Sequence, residues 1–450
     1  MSNPLSARAS GGRGSGVRGA ASLPDRSESA AGTNPSLPRS AYLAIFAVAL
    51  AARLAAVLAT GPDTSAFGDA HAYVLAARSL VETGRYPDAT DFRFFFRPPV
   101  YPVFLAAATL GHPDCVPCGR AASAAVGALC PLLLAALSAR IFRRRGLALA
   151  TGLAAAVHPP FIFASTEIQS EPLFMLLLLA AAFLLLAATD RPSSNLAVVA
   201  GATLGIAALT RSSGLVLVPL LLAPLLDRRW PVRARGHLAG SALLGLAIAL
   251  APWVARNAVV YRELIVSSDA GGFSLYHGNS EWTRRYYAIR SRGEFAAWQR
   301  DADMDARQRL VALEALAGRR LTPRERSSGF ARLALERMRA DPAAAARLFA
   351  AKAGHWLRPY PTIWLWPAWV VAATGALYLA LDAFAIVGLA RSPRGGVAAF
   401  CLAALALSMA LHVALEVVWR YRMPYWDPIL ILFAVGGVAA AAGFGAARRH

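Results

Sequence analysis

The chain has 450 residues, of which 57% are hydrophobic and only 16% charged, and its 46 basic and 26 acidic side chains give a formal net charge of +20. An average soluble domain is about 25% charged, whereas several windows of about 20 residues here carry few or no charges and could cross a ~30 Å hydrocarbon core. This composition excludes a soluble globular protein, a fibrous protein and a mostly disordered chain. Basic charge often indicates nucleic acid, but a soluble nucleic-acid-binding protein needs no such apolar runs. The prediction is an all-α polytopic membrane protein with no nucleic-acid partner.

The first 40 residues are rich in Gly, Ser, Ala and Arg and contain almost no large apolar side chains. Such a segment cannot bury enough surface to offset the entropy of ordering, so residues 1–40 are predicted to be a disordered basic cytoplasmic tail. Gly14, Gly16 and Gly19 form a G-x-G-x-x-G pattern, but a dinucleotide fingerprint needs a strand before it and a helix after it. Neither is predicted, so no nucleotide cofactor is expected.

About ten transmembrane helices are predicted from the apolar segments that follow. These segments are 41–60, 120–142, 147–163, 171–189, 196–209, 215–226, 238–254, 364–389, 397–418 and 428–446. A further apolar stretch at 100–111 is too short to span a membrane and is predicted to be interfacial or re-entrant.

Arginine placement sets the predicted orientation. Arginines cluster at 143–145, 228–235, 391–394 and 448–449, and positive charge in short loops marks the cytoplasmic side. Both termini are therefore predicted to be cytoplasmic, in a multi-pass protein of the inner (plasma) membrane, which agrees with an even number of spans.

Two long loops then fall on the extracytoplasmic side, at 61–119 and 257–361. The chain after the tail is thus divided into an N-terminal transmembrane module at 41–256, which includes the first outer loop, the second outer loop, and the C-terminal transmembrane helices at 362–450. The second loop is predicted to be helical, because Thr322 and Glu325 form a capping-box pattern and Asp341 precedes a proline. Its aromatic residues are open to two interpretations, stacking on sugars or anchoring at the membrane interface: Trp282, Tyr286, Tyr287, Trp356 and Tyr360.

Asp69 opens an amphipathic helical pattern in the first outer loop, with Tyr73, Ala76, Ala77 and Leu80 on one face. The spacing leaves two interpretations of this carboxylate. It is either the N-cap of the helix or a general base at the boundary between membrane and water.

The same loop contains Cys115 and Cys118, with His112 three residues earlier. Two cysteines and one histidine fall short of a four-ligand zinc site. An oxidising exterior favours a disulfide, with free thiols and a metal as the alternatives. The eight histidines of the chain form no cluster with the spacing of metal ligands, so no metal site is predicted.

Five groups of residues, in order along positions 41–435, carry the strongest functional signal. They are Gly68-Asp69-Ala70 with Gly84-Arg85-Tyr86 and Arg97-Pro98-Pro99-Val100-Tyr101-Pro102; His158-Pro159-Pro160 with Glu167 and Glu171-Pro172-Leu173-Phe174; Leu209-Thr210-Arg211-Ser212-Ser213-Gly214; Pro252-Trp253-Val254-Ala255-Arg256-Asn257 with Gly271-Gly272-Phe273-Ser274-Leu275-Tyr276-His277-Gly278-Asn279; and Arg420-Tyr421-Arg422-Met423-Pro424. Together they resemble the GT-C glycosyltransferases, in particular the glycosyltransferase 39-like group that includes protein mannosyltransferases and the bacterial lipid A aminoarabinose transferase.

The resemblance implies a GT-C-like fold and an inverting transferase. Such an enzyme moves a sugar from a polyprenyl-phosphate donor to an acceptor hydroxyl on the extracytoplasmic face, the acceptor being a lipid, a polymer or a protein. A lipid-phosphate leaving group needs no nucleotide site. The protein mannosyltransferases carry an Asp-Glu pair where this chain has Asp69-Ala70, a departure that favours the bacterial branch that modifies lipids or polymers.

By the same resemblance Asp69 is the catalytic base, because an acceptor hydroxyl is a weak nucleophile that needs a positioned carboxylate. The aminoarabinose transferase uses a loop lysine near the phosphate, and the first outer loop here has none. Arg97, with Arg93 or Arg85 as substitutes, is then the cation that binds the donor phosphate. Some relatives use a divalent ion, so metal dependence stays open.

The remaining candidates also have two interpretations each. Glu171 is a second catalytic acid or a structural carboxylate at a helix end. Arg420 and Arg422 bind the donor phosphate or are interfacial arginines whose stems lie along apolar surface. Arg256 is a weaker phosphate-binding candidate, and Arg211, in a tight turn, is interpreted as structural.

Four charged or titratable residues fall inside predicted spans, where such groups are expected to face the bundle interior and pair with one another: Arg53, Asp382, His412 and Glu416. A secondary transporter or lipid flippase is the alternative function. It predicts polar residues near the midplane on broken helices, whereas the polar motifs here lie at the outer ends of helices.

Overall fold

The structure, a computed structural model, describes residues 36–60, 69–87, 95–363 and 366–442, and these ranges contain helices and no strand. The predicted all-α class is confirmed. Some predictions concern residues outside the described ranges, namely the tail as far as residue 35 with its glycine pattern, Gly68, Arg93, Trp364, Arg448 and Arg449.

The described residues form nineteen α-helices and one long 3-10 helix, η1. In chain order they are α1 Arg39–Ala59, α2 Asp69–Thr83, α3 Val100–Ala108, α4 Val116–Gly127, α5 Cys130–Phe142, α6 Arg145–Ala156, α7 Pro159–Ala164, α8 Glu171–Asp190, α9 Ser194–Thr210, η1 Ser212–Leu226, α10 Val232–Tyr261, α11 Ala270–Gly278, α12 Glu281–Ala288, α13 Arg292–Ala317, α14 Pro323–Ala340, α15 Pro342–Leu357, α16 Ala368–Ala390, α17 Gly395–Ala414, α18 Trp419–Arg422 and α19 Trp426–Ala441.

Six segments of the described chain are helical, long and apolar enough to cross a membrane: α1, Val116–Phe142 (α4 with α5), α8, α10, α16 and α17. Four shorter apolar helices, α6, α9, η1 and α19, overlap the remaining predicted spans. These segments support the multi-pass character, and six of the ten predicted spans correspond to described helices that are long and apolar enough to cross a membrane.

Prolines shorten several of these elements. The predicted span at 147–163 is divided into α6 and α7 just before Pro159 and Pro160, because a proline disfavours helical geometry in the preceding residue. η1 contains Pro219 and Pro224, which lack the backbone N–H that a regular α-helix would use.

The predicted span at 397–418 also ends early. α17 stops at Ala414, and Leu415 leaves the helix with φ −93° and ψ −92°. Glu416 therefore lies in the connection between α17 and α18 and not inside a span. This correction places a carboxylate near the candidate site described below.

Helices α9 and α10 approach closely at two glycines. A Cβ on Gly201 would lie 1.7 Å from the carbonyl oxygen of Ala242, and one on Gly245 would lie 1.9 Å from that of Val198. Small residues allow such close contact between membrane helices. Gly201 and Gly245 therefore allow α9 and α10 to pack with their backbones in contact.

Asp190, the last residue of α8, lies close to three arginines from other parts of the chain. It lies 2.9 Å from Arg394, 3.6 Å from Arg140 and 4.0 Å from Arg229. The predicted inner loops at 228–235 and 391–394 therefore meet at one end of α8. The candidate site lies at the other end, where α8 begins with Glu171.

Helices α11–α15 lie in the predicted second outer loop and are called the outer helices below. Two of them, α14 and α15, begin where the capping signals predict. Thr322 and Glu325 form a reciprocal capping box at α14, and the Asp341 side chain accepts a hydrogen bond from the backbone N–H of Ala344 in α15. The boundary predicted at residue 257 differs, since α10 continues to Tyr261. In the first outer loop the open question about the cysteines is answered by a Cys115–Cys118 disulfide at the start of α4.

Lys352, the only lysine of the chain, attaches α15 to the end of α17. It is fully buried, and its ammonium donates hydrogen bonds to Asn279 Oδ1 at 2.7 Å and to the carbonyl oxygens of Leu415 at 3.2 Å and Ala414 at 3.4 Å. Next to it, a Cβ on Gly278 would lie 1.7 Å from the Leu415 carbonyl oxygen. The outer helices therefore hold the chain just before Glu416.

Candidate active site

The candidate site begins at the first turn of α2. This helix buries Tyr73, Ala76 and Ala77, with Leu80 half-buried, which is the face predicted from the sequence. The Tyr73 ring packs edge-on against Tyr101 of α3, with ring centroids 4.6 Å apart. Packing against α3 therefore fixes the helix that carries Asp69.

Two arginines from distant parts of the chain bind the Asp69 carboxylate. Arg97 Nη2 donates a hydrogen bond to Asp69 Oδ1 at 2.6 Å, and Arg420 Nη2 donates to Oδ2. The side chain of Asp69 is 20% exposed and those of Arg97 and Arg420 are 22% and 14% exposed. The carboxylate thus faces guanidinium groups at a partly open position.

Glu171 joins the same group from the start of α8. Its Oε1 lies 3.0 Å from Arg211 Nη1 and 3.7 Å from Arg420 Nη1, and its side chain is only 2% exposed. Arg420 therefore stands between two carboxylates, with Asp69 on the more exposed side and Glu171 on the buried side.

Arg211, which the sequence suggested to be structural, belongs to this cluster. Its Nη1 also donates to Ser170 Oγ at 3.0 Å, and that oxygen lies 2.9 Å from the hydroxyl of Tyr73. The signal was present in the sequence, because Arg211 lies in one of the five groups of residues that carry the family resemblance. The tight turn after α9 brings it to the start of α8.

The charges of the described residues in this cluster do not balance. Three guanidinium groups, from Arg97, Arg211 and Arg420, face two carboxylates, from Asp69 and Glu171. One positive charge is in excess at a partly exposed position. Guanidinium groups bind phosphate through paired hydrogen bonds, so this arrangement suits an anionic ligand.

The arginines also control the pKa of Asp69. Burial alone would raise it, but the charges of Arg97, Arg420 and Arg211 hold the pKa of this carboxyl well below its usual range. Asp69 is therefore ionised throughout the physiological pH range. Asp69 could accept a proton efficiently only if the arginines formed hydrogen bonds with another anion, because its pKa would then rise.

Aromatic rings support Arg97 and separate it from Arg256. The Arg97 guanidinium lies 4.6 Å from the centroid of the Phe95 ring. The backbone carbonyl oxygen of Arg97 accepts a hydrogen bond from the Tyr86 hydroxyl at 2.7 Å. Arg256 lies behind this layer, donating to the Tyr86 carbonyl oxygen at 3.3 Å and facing the Trp253 ring at 5.1 Å. Of the proposed substitutes for Arg97, Arg85 is exposed and Arg93 lies outside the described residues.

The structure does not bring Arg422 to the cluster. Its side chain is 1% exposed, and its Nη1 donates to the carbonyl oxygens of Trp356 at 2.9 Å and Arg358 at 2.8 Å. The reason is helical geometry, since residues two apart on a helix point in different directions. Within α18, Arg420 faces Asp69 and Arg422 faces the outer helices.

The charged residues predicted inside spans do not pair with one another as expected. Arg53 donates to the carbonyl oxygens of Ala49 at 2.9 Å and Ala156 at 3.0 Å, and His412 Nδ1 donates to that of Ser408 at 2.7 Å. Backbone carbonyl oxygens of the helices therefore accept the hydrogen bonds that a carboxylate partner was expected to accept.

Glu416 forms an ion pair with His277, whose Nδ1 lies 3.3 Å from Glu416 Oε1. Burial would raise the pKa of Glu416, but His277 lowers it, with Arg420 acting in the same direction and Asp69 in the opposite one. Glu416 thus lies within electrostatic reach of the cluster, a neighbour that the sequence did not predict because it was placed inside a span.

The residues of the cluster suit an anion better than a divalent cation. Each of its carboxylates, on Asp69 and Glu171, is already paired with arginine. Among the residues that the structure describes, no group of three or more His, Cys, Asp or Glu side chains is arranged to hold a metal ion.

Comparison with known proteins supports the resemblance found in the sequence. A family model described as dolichyl-phosphate-mannose-protein mannosyltransferase matches residues 97–254, about a third of the chain. The matched stretch contains Arg97, Glu171 and Arg211, whereas Asp69 and Arg420 lie outside it. No curated protein matches the chain.

Solved structures show the same likeness. The Archaeoglobus fulgidus oligosaccharyltransferase tethered with an acceptor peptide is 13% identical, with a TM-score of 0.52 over 90% of this chain and 50% of that chain. Apo ArnT from Cupriavidus metallidurans is 17% identical, with a TM-score of 0.41 over 90% of this chain and 78% of that chain. ArnT bound to undecaprenyl phosphate is 18% identical, with a TM-score of 0.38 over 90% and 79% of the respective chains.

The matched family and the archaeal oligosaccharyltransferase are GT-C glycosyltransferases. The predicted resemblance to this class is therefore confirmed, and the likeness to the archaeal protein shows a GT-C-like fold. The chain spans half the length of that oligosaccharyltransferase. Its own substrates and its mechanism are consequently matters of proposal.

Proposed function

We propose that this protein is an inverting membrane glycosyltransferase. It moves a sugar from a polyprenyl-phosphate donor to an acceptor hydroxyl on the extracytoplasmic face of the plasma membrane, with both termini in the cytoplasm. The observation that carries the proposal is the partly exposed Asp69 carboxylate held between Arg97 and Arg420. The match to a family described by a lipid-phosphate-linked mannose donor supports the donor class.

The arginine cluster provides the site for the donor phosphate. Among the described residues of the cluster, Arg97, Arg211 and Arg420 exceed the two carboxylates by one positive charge, which a lipid phosphate would neutralise. Developing negative charge on the leaving phosphate is stabilised by positioned cations of this kind. Arg256, behind Tyr86, would support Arg97 and not touch the phosphate.

A small apolar crevice lies beside the cluster. Phe163, Trp419 and Met423 line it together with Glu171 and Arg420. Its volume of about 10 Å³ is that of roughly one water molecule, so the polyprenyl part of the donor would have to lie outside it.

Asp69 is the proposed general base, and the donor would activate it. When Arg97 and Arg420 turn their hydrogen bonds to the phosphate, they hold the carboxylate less strongly and its pKa rises toward the usual range. The acceptor hydroxyl then gives its proton to Asp69 while its oxygen bonds to the anomeric carbon. The bond from that carbon to the phosphate oxygen breaks on the opposite face, its electron pair leaves with the phosphate, and the configuration inverts.

Glu171 has a different proposed role. With 2% exposure and contacts to Arg211 and Arg420, it would orient the two guanidinium groups from the buried side. Arg422 would act through the backbone, by holding α18 against the outer helices.

The test is transfer of labelled mannose from polyprenyl-phosphate mannose to outer-leaflet extracts by the purified full chain in vesicles. Asp69→Asn should reduce transfer by roughly 10²–10⁴-fold, the usual contribution of a general base. Glu82→Gln is the matched control, because Glu82 is an exposed acid on the same helix, and it should leave transfer unchanged. Full transfer by the Asp69→Asn protein would reject the base, and movement of labelled lipid across the vesicle without a glycosylated product would favour the transporter or flippase.

A further inference from the structure

A second cavity lies among the outer helices, at a distance from the apolar crevice. It has a volume of about 180 Å³ and lies between the end of α12 and the chain that follows α15. Its wall includes Tyr286, Tyr287, Arg290, His355, Arg358 and Tyr360. Clefts that enclose whole drug-sized ligands measure about 300–1,000 Å³, so this cavity would take one sugar-sized ring with a charged substituent.

The cavity is electropositive. Arg290 and Arg358 both contribute to its wall, and no acidic residue is among the described residues that line it. Arg358 Nε is buried and makes no hydrogen bond with the described residues. Burial lowers the pKa of the Arg358 guanidinium, as expected for a cation without a carboxylate partner.

Aromatic rings, hydroxyl groups and two isoleucines form the rest of the wall. Tyr287 stacks on His355 with ring centroids 3.5 Å apart and an interplanar angle of 15°, and the Tyr360 ring lies 5.6 Å from the Arg358 guanidinium. Aromatic side chains with polar ends offer both an apolar face and a hydrogen-bonding group. Together with the arginines, they match a hydroxyl-bearing ring that carries an anionic group.

The cavity wall is bonded to the segment that carries Arg420. The Tyr287 hydroxyl donates to the carbonyl oxygen of Val417 at 3.3 Å, and Arg422 Nη1 donates to the carbonyl oxygen of Arg358 at 2.8 Å. Arg358, Arg420 and Glu416 are the charges that act on Tyr286, where burial is the largest influence and raises the pKa of its hydroxyl. The cavity wall is therefore joined to the segment of chain that also supplies Arg420 to the Asp69 cluster.

We propose that this cavity is an acceptor subsite that binds a phosphorylated sugar ring. The inference rests on the proposed function, since it assigns a binding site to the acceptor of that reaction. It adds a chemical class for that acceptor, an anionic sugar, which neither the fold nor the arginine cluster specifies.

The probe is glucose 6-phosphate, titrated by calorimetry into the full chain in phosphatidylcholine nanodiscs, with glucose and inorganic phosphate as separate ligands. The wild-type protein should bind glucose 6-phosphate more tightly than either fragment. Arg290→Gln and Arg358→Gln should each weaken binding by about tenfold, the effect of losing one charge-assisted hydrogen bond.

Arg284→Gln is the matched control, because Arg284 is an exposed arginine of α12 that does not line the cavity, and it should bind as the wild type does. No binding by the wild type, or equal binding by the double variant Arg290→Gln/Arg358→Gln, would overturn the proposal. So would binding that is lost with Arg97→Gln and kept in the double variant, because the probe would then occupy the arginine cluster.

The source of the phosphorylated ring is tested in the same nanodiscs. If added phosphatidylinositol 4-phosphate displaces glucose 6-phosphate, the cavity accepts a lipid headgroup, and if it does not, the cavity is specific for a soluble or polymer-linked sugar. The binding experiment needs neither donor nor turnover, so it can succeed even if Asp69→Asn retains transfer. In that case the proposed function fails while the cavity remains a binding site.

Discussion

The guanidinium group of Arg420 contacts the carboxylate of Asp69 across 351 positions of the sequence. On its other side the same group lies 3.7 Å from Glu171. A four-residue helix between α17 and α19 thereby joins the start of α2 to the start of α8. One side chain thus determines how two carboxylates face the space where we place the donor phosphate.

Replacement of Arg420 should reduce activity according to how much of this geometry survives. Arg420→Gln is expected to lower kcat/KM by roughly 10²–10³-fold, as for removal of a group that stabilises developing negative charge. Arg420→Lys keeps the charge but cannot form bidentate hydrogen bonds, so its reduction in kcat/KM should be smaller. Transfer assays at varied donor concentration measure both, with Arg85→Gln as an exposed arginine control. Equal activity in all three variants would contradict a role for Arg420.

Glu171→Gln distinguishes orientation from acid catalysis. The substitution adds one positive charge to the cluster and loosens Arg211 and Arg420. We therefore expect an unchanged or lower KM for the donor and a kcat reduced by roughly ten- to a hundredfold, because misplaced groups slow the reaction step. A loss as large as that of Asp69→Asn would instead make Glu171 a second catalytic acid.

The His277–Glu416 pair predicts how stability depends on pH. Burial would lower the pKa of His277, but Glu416, Asp303 and Asp305 raise it above its ordinary value. The folded state then binds the proton more tightly than the unfolded state. The stabilisation is complete below about pH 6.5 and is lost as the pH rises through the raised pKa.

Thermal unfolding between about pH 6 and about pH 9 measures this dependence, across the range in which histidines titrate. The difference in unfolding temperature between the wild type and His277→Gln should be largest at the acidic end and shrink toward the alkaline end. His355→Gln is a suitable control, since burial followed by the charge of Arg358 lowers the pKa of His355 to about 4. Identical pH slopes for the wild type and His277→Gln would disprove the coupling.

Lys352→Met should destabilise the contact between the outer helices and the end of α17. Asn279 and the carbonyl groups of Ala414 and Leu415 would lose their buried donor, and each unsatisfied group costs about 1–3 kcal/mol. Arg347→Met, at an exposed position of the same helix, should change the free energy of unfolding by less than about 0.5 kcal/mol. Denaturant unfolding of the two variants makes the comparison, and equal stability would refute the role of Lys352.

Lys352 adds a pH effect of the opposite sign to that of His277. Burial lowers the pKa of its ammonium group to about 8, below the usual value of about 10.4. The unfolded state therefore binds the proton more tightly between these values, so the wild type should gain stability as the pH rises from about 8 to about 10.4. Lys352→Met should lack this gain, and retention of it would assign the effect to another group.

The sequence predicted the elements whose causes are local. The capping box at Thr322 and Glu325 marks a helix start, because the hydrogen bonds that form it lie within four residues. The buried face of α2 followed from helical spacing. Asp69, Arg97 and Arg420 were identified through motifs, and the structure brings all three together.

Predictions that depended on side-chain direction or chain path were less accurate. Arg420 and Arg422 look equivalent in the sequence, yet their places in α18 send one to Asp69 and the other to the Trp356 carbonyl. The sequence favours a structural role for Arg211 because its partner Glu171 lies 40 positions away along the chain and becomes a neighbour only in the fold. The sequence predicts Glu416 inside a span because hydropathy does not reveal that Leu415 leaves the helix.

The separation of the site along the chain sets an order for its assembly. Asp69 and Arg97 are 28 positions apart, whereas Arg420 follows 351 positions after Asp69. At roughly 5–20 residues per second, the ribosome adds Arg420 roughly 18–70 s after Asp69. During that interval the nascent chain contains the base and its nearer arginine without the residue that connects them to Glu171. A polypeptide released before α18 would therefore insert most of its helices and still lack a complete site.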